Sequence, residues 1–245
     1  MDVKIISQFE SGRSGANTYL AEKDGIIGVY KTNVKSPSKV FELSKVIPFL
    51  QPEIYHIDDN SIFMEYIDGI TIKEVLYDPS PKIFSVITDY ILSYIDFSLS
   101  TSTGMHDFTD IINNKILSLN DKVDIHYFKN IKTTHPFTIT HGDFTFDNLI
   151  YKDGKIYMID LSPTYFNSIY FDMNKLRQDL TGLWFVRNEK NKNLWTPTCD
   201  IIYNNIREKH PDLFDDSIYN LMISRIILYC DNNESDRNYI YNMLI

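Results

Sequence analysis

Two Asp-Gly dipeptides constrain this chain more than any other feature. Each lies between two apolar runs and so specifies a two-residue β-hairpin turn. The first, Asp24-Gly25, joins a strand over Asn17–Glu22 to one over Ile26–Thr32. If Asp24 and Gly25 are the turn residues, Lys23 pairs with Ile26, and counting outward sets Lys31 opposite Thr18. The second, Asp153-Gly154, joins Leu149–Lys152 to the apolar run Ile156–Ile159, which ends in Asp160. The same counting sets Lys152 opposite Lys155, Asn148 opposite Ile159 and Asp147 opposite Asp160. Opposed residues have Cβ atoms about 5 Å apart, so Asn148 and Asp160 are expected side by side.

Just upstream stands His141-Gly142-Asp143-Phe144-Thr145-Phe146-Asp147-Asn148, led in by an expected short strand over Phe137–Thr140. The stretch puts a carboxylate, Asp143, five residues before a neutral oxygen ligand, Asn148. Magnesium prefers oxygen ligands and keeps several waters, so one ion could touch Asn148, Asp160 and the phosphates of a nucleotide. His-Gly-Asp alone is a common tripeptide, and a strand-final Asp is often only a turn residue. The weight lies in five parts met in order: a glycine loop, a lysine, a connecting segment, Asp-x4-Asn and a strand-final Asp. Protein kinases use these parts in this order for phosphoryl transfer.

The first third reads as a five-stranded antiparallel sheet with one helix. Val3–Glu10 is the first strand, and Ser11-Gly12-Arg13-Ser14-Gly15-Ala16-Asn17 follows it. Gly12, Ser14 and Gly15 let backbone amides approach an anion, although an ordinary hairpin turn reads the same way. Lys31 would stand at the mouth of this loop. Ser36-Pro37 starts a helix, with Ser as N-cap and Pro in the first turn. Glu42 on that helix is the candidate partner of Lys31. Strands over Glu53–Ile57 and Ser61–Tyr66 complete the sheet. Then come Glu65-Tyr66-Ile67-Asp68-Gly69 and a capping box, Thr71-Ile72-Lys73-Glu74. The domain boundary is placed here, giving residues 1–66 and 67–245. Glu65 and Ile67 are the candidate backbone contacts to a nucleotide base.

The remainder is strongly helical. Ile83, Val86, Ile87, Tyr90, Ile91 and Tyr94 recur at the spacing of a buried helix face, and Phe108, Ile111, Ile112, Ile116 and Leu119 repeat it. Residues 120–134 read as a loop. Helices are expected over Asp172–Asn188, Thr198–Lys209, Ser217–Tyr229 and Asp236–Leu244. With 43% hydrophobic residues the chain has ample core material. A net charge of −9 and a pI near 5.1 argue against a non-specific grip on nucleic acid or anionic membrane. Asp89 and Asp96 interrupt the longest apolar helix, which argues against a membrane span. Two cysteines without paired spacing and no signal-peptide pattern set the expectation of a reducing, cytoplasmic location.

On His141-Gly142-Asp143-x4-Asn148 and Ile159-Asp160, and more loosely over residues 1–182, the chain resembles the kinase-like small-molecule phosphotransferases. This superfamily holds the aminoglycoside phosphotransferases, choline kinases and related sugar kinases. The resemblance implies an α+β, two-lobed protein-kinase-like fold and transfer of the γ-phosphate of Mg-ATP, or of GTP, to a small-molecule hydroxyl. Carried over by residue, Asp143 is the catalytic base, Asn148 and Asp160 are the magnesium ligands, and Lys31 binds phosphate. His141 shapes the loop, and Asp172 caps and anchors a helix. Gly142 leans toward the aminoglycoside and sugar-kinase branch, since choline and ethanolamine kinases tend to carry Asn there. Tyr170-Phe171-Asp172-Met173-Asn174-Lys175-Leu176 resembles a segment of bacterial surface-sugar phosphotransferases, which makes a sugar or polyol the expected acceptor. The alternatives are choline, ethanolamine or an aminoglycoside as acceptor, or a non-catalytic nucleotide-binding scaffold. In the family the acceptor is held by the variable helical part, where Trp184, Arg187 and Trp195 are the candidates, with core packing the favoured reading of Trp184.

Overall fold

The computed structural model describes residues 2–9, 15–77, 80–119, 121–230 and 233–245. In chain order the elements begin β1 (Lys4–Gln8), β2 (Asn17–Lys23), β3 (Ile26–Thr32), α1 (Pro37–Val46), β4 (Ile54–Ile57), β5 (Ser61–Glu65) and β6 (Ile70–Thr71). Next are α2 (Ile72–Val75), α3 (Pro81–Ser100), β7 (Met105–Asp107), α4 (Thr109–Leu117), β8 (Thr134–Pro136), β9 (Leu149–Lys152) and β10 (Lys155–Met158). The helices α5 (Ile169–Leu180), α6 (Thr196–Lys209), α7 (Asp216–Ser224) and α8 (Glu234–Met243) close the chain. The fold is α+β, an N-terminal antiparallel sheet followed by a mainly helical part. It divides into two compact units: Met1–Ile70 with Ile150–Pro163, and Thr71–Leu149 with Thr164–Ile245.

Both Asp-Gly turns form. Asp24 and Gly25 have φ of 52° and 80°, and Asp153 and Gly154 have 50° and 78°, the positive pair that a type I′ turn requires. The first unit is built on the sheet β1-β2-β3-β5-β4. Lys31 pairs with Thr18 and Lys23 with Ile26, as the turn dictates. Gly28 is obligatory in β3, because a Cβ there would meet Met64 O at 2.5 Å and the Phe63 ring at 2.8 Å. α1 starts at Ser36-Pro37, but Ser36 is left-handed (φ 56°) and makes no side-chain cap bond.

The second hairpin belongs to the first unit, where Met158 N–H donates to Leu50 O at 2.8 Å. Its ladder is shorter than the turn alone suggests. The strands end at Leu149 and Met158, so Asn148 and Ile159, and Asp147 and Asp160, lie beyond them and outside the expected ladder. Asn148 sits instead in a 3-10 turn, Phe146–Asn148, closed by Asn148 N–H to Thr145 O at 3.1 Å. Asp160 leaves the strand with φ 59°, a left-handed conformation that Asp adopts more readily than most residues.

The second unit is organised on α5, whose residues are buried from Phe171 to Leu180. The stripe predicted for α3 is a core face: Ile87, Ile91, Tyr94 and Ile95 are fully buried. Lys82–Ser100 is long and apolar enough to cross a membrane by length and composition alone, and 39% of it is buried. Phe108, Ile112, Phe171 and Trp184 share a core cluster with Ile218, Leu221 and Ile223 of α7. The segment Phe137–Thr140 is not a strand. The local ladder is β7 with β8, and the residues after β8 are held by side chains of α3 and its C-cap. Ser98 Oγ donates to Ile139 O at 2.7 Å, and Ile139 N–H donates to Thr101 Oγ1 at 2.9 Å.

The helix expected over Asp172–Asn188 runs from Ile169 to Leu180. The chain then bends through Leu183 (φ 51°) into a 3-10 turn at Trp184–Val186. Gly182 permits the bend, since a Cβ there would strike the Met243 side chain at 1.9 Å and Gln178 O at 2.7 Å. α7 likewise ends at Ser224, and Arg225–Tyr229 continue as a 3-10 helix.

Candidate active site

Within the first unit, the β3 lysine meets the residue that ends the second hairpin. Lys31 Nζ lies 2.6 Å from Asp160 Oδ1; the lysine is mostly enclosed and the aspartate half exposed. With Val40, Ile54, Ile62, Met64 and Met158 the two line a crevice. Lys31 is thus paired with Asp160, and Glu42 stays exposed on α1 without an ion pair among the described residues. Of the candidate loop residues Gly12, Ser14 and Gly15, Gly15 is described, at φ 79°; Gly12 and Ser14 lie outside the described residues. Glu65 N–H is used by Glu53 O at 2.8 Å, and Ile67 O accepts from Gly69 N–H at 3.0 Å.

Within the second unit, α5 shapes the loop at His141. Asp172 Oδ2 accepts from Tyr94 O–H at 2.6 Å, His141 N–H at 2.9 Å and Gly142 N–H at 3.2 Å. Asp172 therefore anchors the loop; at the helix N-terminus the Ser168 side chain makes no cap bond, and Ile169 N–H donates to Thr138 Oγ1 at 3.0 Å. His141 is fully buried, and its Nδ1 accepts from Asp143 N–H at 3.1 Å, so its ring proton resides on Nε2. Tyr94 stacks on Phe144, centroids 4.2 Å apart, and closes the loop from the α3 side.

One turn after Asp172, Lys175 reaches the same loop. Its Nζ lies 2.8 Å from Asp143 Oδ1 and also donates to Gly142 O. Asn148 Nδ2 donates to Asp143 O at 2.7 Å and to Asp143 Oδ2 at 3.3 Å. Burial raises the Asp143 pKa, but the Lys175 charge and its hydrogen bond, with smaller contributions from His141 and Arg225, together outweigh it. The carboxyl is held below its usual range. Burial pushes Lys175 down, offset by Asp143. The result is an ionised, half-exposed carboxylate held from two sides on an anchored loop.

Asp179, farther along α5, accepts from Phe146 N–H at 2.8 Å and fixes the 3-10 turn that carries Asn148. Burial, then the negative charges of Asp147 and Asp143, push its pKa well up. An unfolded Asp ionises near 3.9, so above that pH the folded state binds more protons than the unfolded one. Asp179's contribution is therefore fully present below about pH 3.9 and lost as pH rises toward the folded pKa. Melting Asp179→Asn and the unmodified protein from pH 4 to 8 should show their stability difference shifting toward the Asn variant. The limiting slope is about 1.4 kcal/mol per pH unit, and a pH-independent difference would contradict the assignment.

Trp184, Arg187 and Trp195 are packed within the second unit. Trp184 and Trp195 are buried. Arg187 is tied to Asp236 Oδ1 at 3.1 Å and lies over the Trp184 ring at 4.2 Å. Trp195 Nε1 donates to Lys73 O at 3.0 Å, and its ring packs on Tyr77. Sequence reading missed Lys175, for which a signal existed: it follows Asp172 by three residues on one helix face.

No protein-family model and no curated protein sequence matches the chain. Solved structures do. The apo form of a thermostable mutant of aminoglycoside phosphotransferase APH(4)-Ia aligns over 99% of this chain and 94% of its own, with a TM-score of 0.63 and 14% identity. A putative fructosamine-3-kinase from Thermobifida fusca YX-ER1 aligns over 98% and 94%, with a TM-score of 0.53 and 12% identity. A glucosamine kinase aligns over 93% and 76%, with a TM-score of 0.55 and 10% identity. Likeness at such identities is likeness of fold, and the chain has the fold of the kinase-like small-molecule phosphotransferases.

Proposed function

We propose that this protein transfers the γ-phosphate of a nucleoside triphosphate, ATP in the first instance, to a hydroxyl of a small molecule of the sugar or polyol class. The observation that carries this reading is Asp143: half exposed, ionised, and held by Lys175 and Asn148 on a loop anchored by Asp172. Such a carboxylate orients an acceptor hydroxyl and takes its proton as transfer proceeds, while the held loop supplies the positioning. The kinase-like fold supports the reading. The solved structures that share it include aminoglycoside, fructosamine and glucosamine kinases by name.

The oxygen donors fit magnesium. Asn148 spends its amide hydrogens on Asp143, which leaves its Oδ1 without a donor among the described residues. Asp160 presents a half-exposed carboxylate. No group of three or more His, Cys, Asp or Glu able to hold a metal occurs among the described residues, in keeping with an ion that completes its shell with waters and phosphates. We assign Asn148 and Asp160 as its protein ligands; when bound, the ion neutralises phosphate charge. Lys31 steadies the phosphates, and Ile67 offers its backbone N–H, which has no acceptor among the described residues, to the base.

Mg-ATP should raise the melting temperature, EDTA should remove that rise, and ADP release should appear with an acceptor from a panel of sugars, polyols, choline and aminoglycosides. Asp160→Asn should lose the magnesium-dependent part of both readouts. Absence of any Mg-ATP stabilisation would end the nucleotide assignment. Stabilisation without turnover across the panel would favour a binding scaffold.

A further inference from the structure

The helix α5 presents two faces. Asp172, Lys175 and Asp179 hold the loop of Asp143 from one of them. At 3.6 residues per turn, Arg177 falls on the opposite side. A recess of about 450 Å³ lies there, wholly within the second unit, inside the ~300–1,000 Å³ range of small-molecule sites. Arg177 shares its walls with Lys192, from a 3-10 turn at Lys192–Leu194, Tyr219 of α7, Tyr239 and Met243 of α8, and Leu183 at the bend after α5. Tyr239 O–H donates to Gly182 O at 2.8 Å, which ties α8 to that bend and fixes one wall.

The walls are positively charged. No Asp or Glu side chain lines the recess among the described residues. Arg177 is 9% exposed, and its guanidinium lies 4.6 Å from the Tyr219 ring centroid. Its Nη1 is 2.8 Å from Asp216 Oδ1 but out of line for a hydrogen bond, and its Nε has no acceptor among the described residues. Lys192 Nζ sits 4.0 Å from the Tyr239 ring centroid and forms no ion pair among the described residues. Of the other acids on these elements, Asp172 and Asp179 face the loop, Asp215 caps α7, Asp236 pairs with Arg187, and Glu234 is exposed at the start of α8. Asp216, mostly exposed, thus offsets one of two cations. Ile245 also borders the recess, its N–H and O both bonded to Asn220.

A guanidinium and an ammonium that converge on one recess match the oxygens of a phosphate or carboxylate. We infer that this recess is a second ligand site, for a small organic anion. Its phosphate or carboxylate meets Lys192 and Arg177, and its apolar or aromatic body packs against Leu183 and Met243. The site is separate from that of Asp143 and stands whether or not the chain transfers phosphate.

Calorimetry and thermal melting of the full chain, with and without saturating Mg-ATP, test this with phenyl phosphate and benzoate as probes. Those two tell phosphate from carboxylate; inorganic phosphate, benzyl alcohol and benzylamine are the controls. Phenyl phosphate or benzoate should bind more tightly than every control and raise Tm, and Mg-ATP should not displace it. Lys192→Gln should weaken that binding at least about tenfold, the scale of one charge-assisted contact. Arg177→Gln, shown to be folded by circular dichroism, should do the same. Should that variant not fold, Asn242→Trp replaces it: Asn242 is an exposed residue of the lining, and the larger ring fills the recess while both cations stay in place, so binding should vanish. Binding that persists in Lys192→Gln or in the second variant overturns the inference. So does displacement by Mg-ATP, a control that binds as tightly as the anionic probes, or no binding of either probe at millimolar concentration.

Discussion

Asp143→Asn should lower kcat by about 10²–10⁴-fold, the range supplied by a positioned general base, with little change in the stabilisation given by Mg-ATP. The substitution keeps an acceptor oxygen for Lys175, whose ammonium also donates to Gly142 O. It removes the charge that balances this enclosed lysine, so a modest fall in melting temperature accompanies the kinetic loss. Single-turnover ADP formation at saturating acceptor separates the two effects. Turnover within about tenfold of the unmodified protein would remove Asp143 from the role of base, because that is less than such a base contributes.

Asp172→Ala should be the most destabilising single change at the site. It deprives three donors of their acceptor at once: Tyr94 O–H, His141 N–H and Gly142 N–H. His141 N–H keeps a second contact to Tyr94 Oη at 2.7 Å, which softens but does not remove the loss. Two buried donors left unsatisfied cost roughly 2–6 kcal/mol together, a large share of the 5–15 kcal/mol typical of a domain. For a chain of this size that lowers the melting temperature by on the order of 10 °C. Thermal and urea unfolding followed by circular dichroism measure it directly. A loss below about 1 kcal/mol would mean that ordinary solvation replaces the carboxylate, and the loop is not anchored as described.

The sheet was readable because local chemistry decided it. The Asp24-Gly25 turn has one good geometry, and the register that follows from it places Lys31 opposite Thr18 with no help from distant residues. The second turn was read by the same logic, and its ladder closed two residues early. There a long-range force won: Asp179 takes Phe146 N–H and draws the segment around Asn148 into a 3-10 turn. Lys31 with Asp160 joins residues 129 positions apart, and no periodicity reports such a partner, which is why Glu42 was an equally reasonable choice. Exposure cannot be read from residue type, so the tryptophans stood between the core and an acceptor wall, with the core favoured for Trp184. Trp184 and Trp195 are core residues whose polar edges or neighbours are satisfied inside the unit.

The polar groups of α5 have a consequence for the order in which the molecule matures. Asp172 closes on amides 30 and 31 residues before it, and Lys175 and Asp179 reach back 32 and 33. The loop that bears Asp143 thus takes its shape from a helix made after it. During synthesis, a chain that has emerged only through the second hairpin holds every residue of the His141–Asn148 stretch, and Tyr94 beside it, but none of the α5 side chains that anchor it. Chemical competence therefore arrives late, when α5 docks and its carboxylates and ammonium close on the loop.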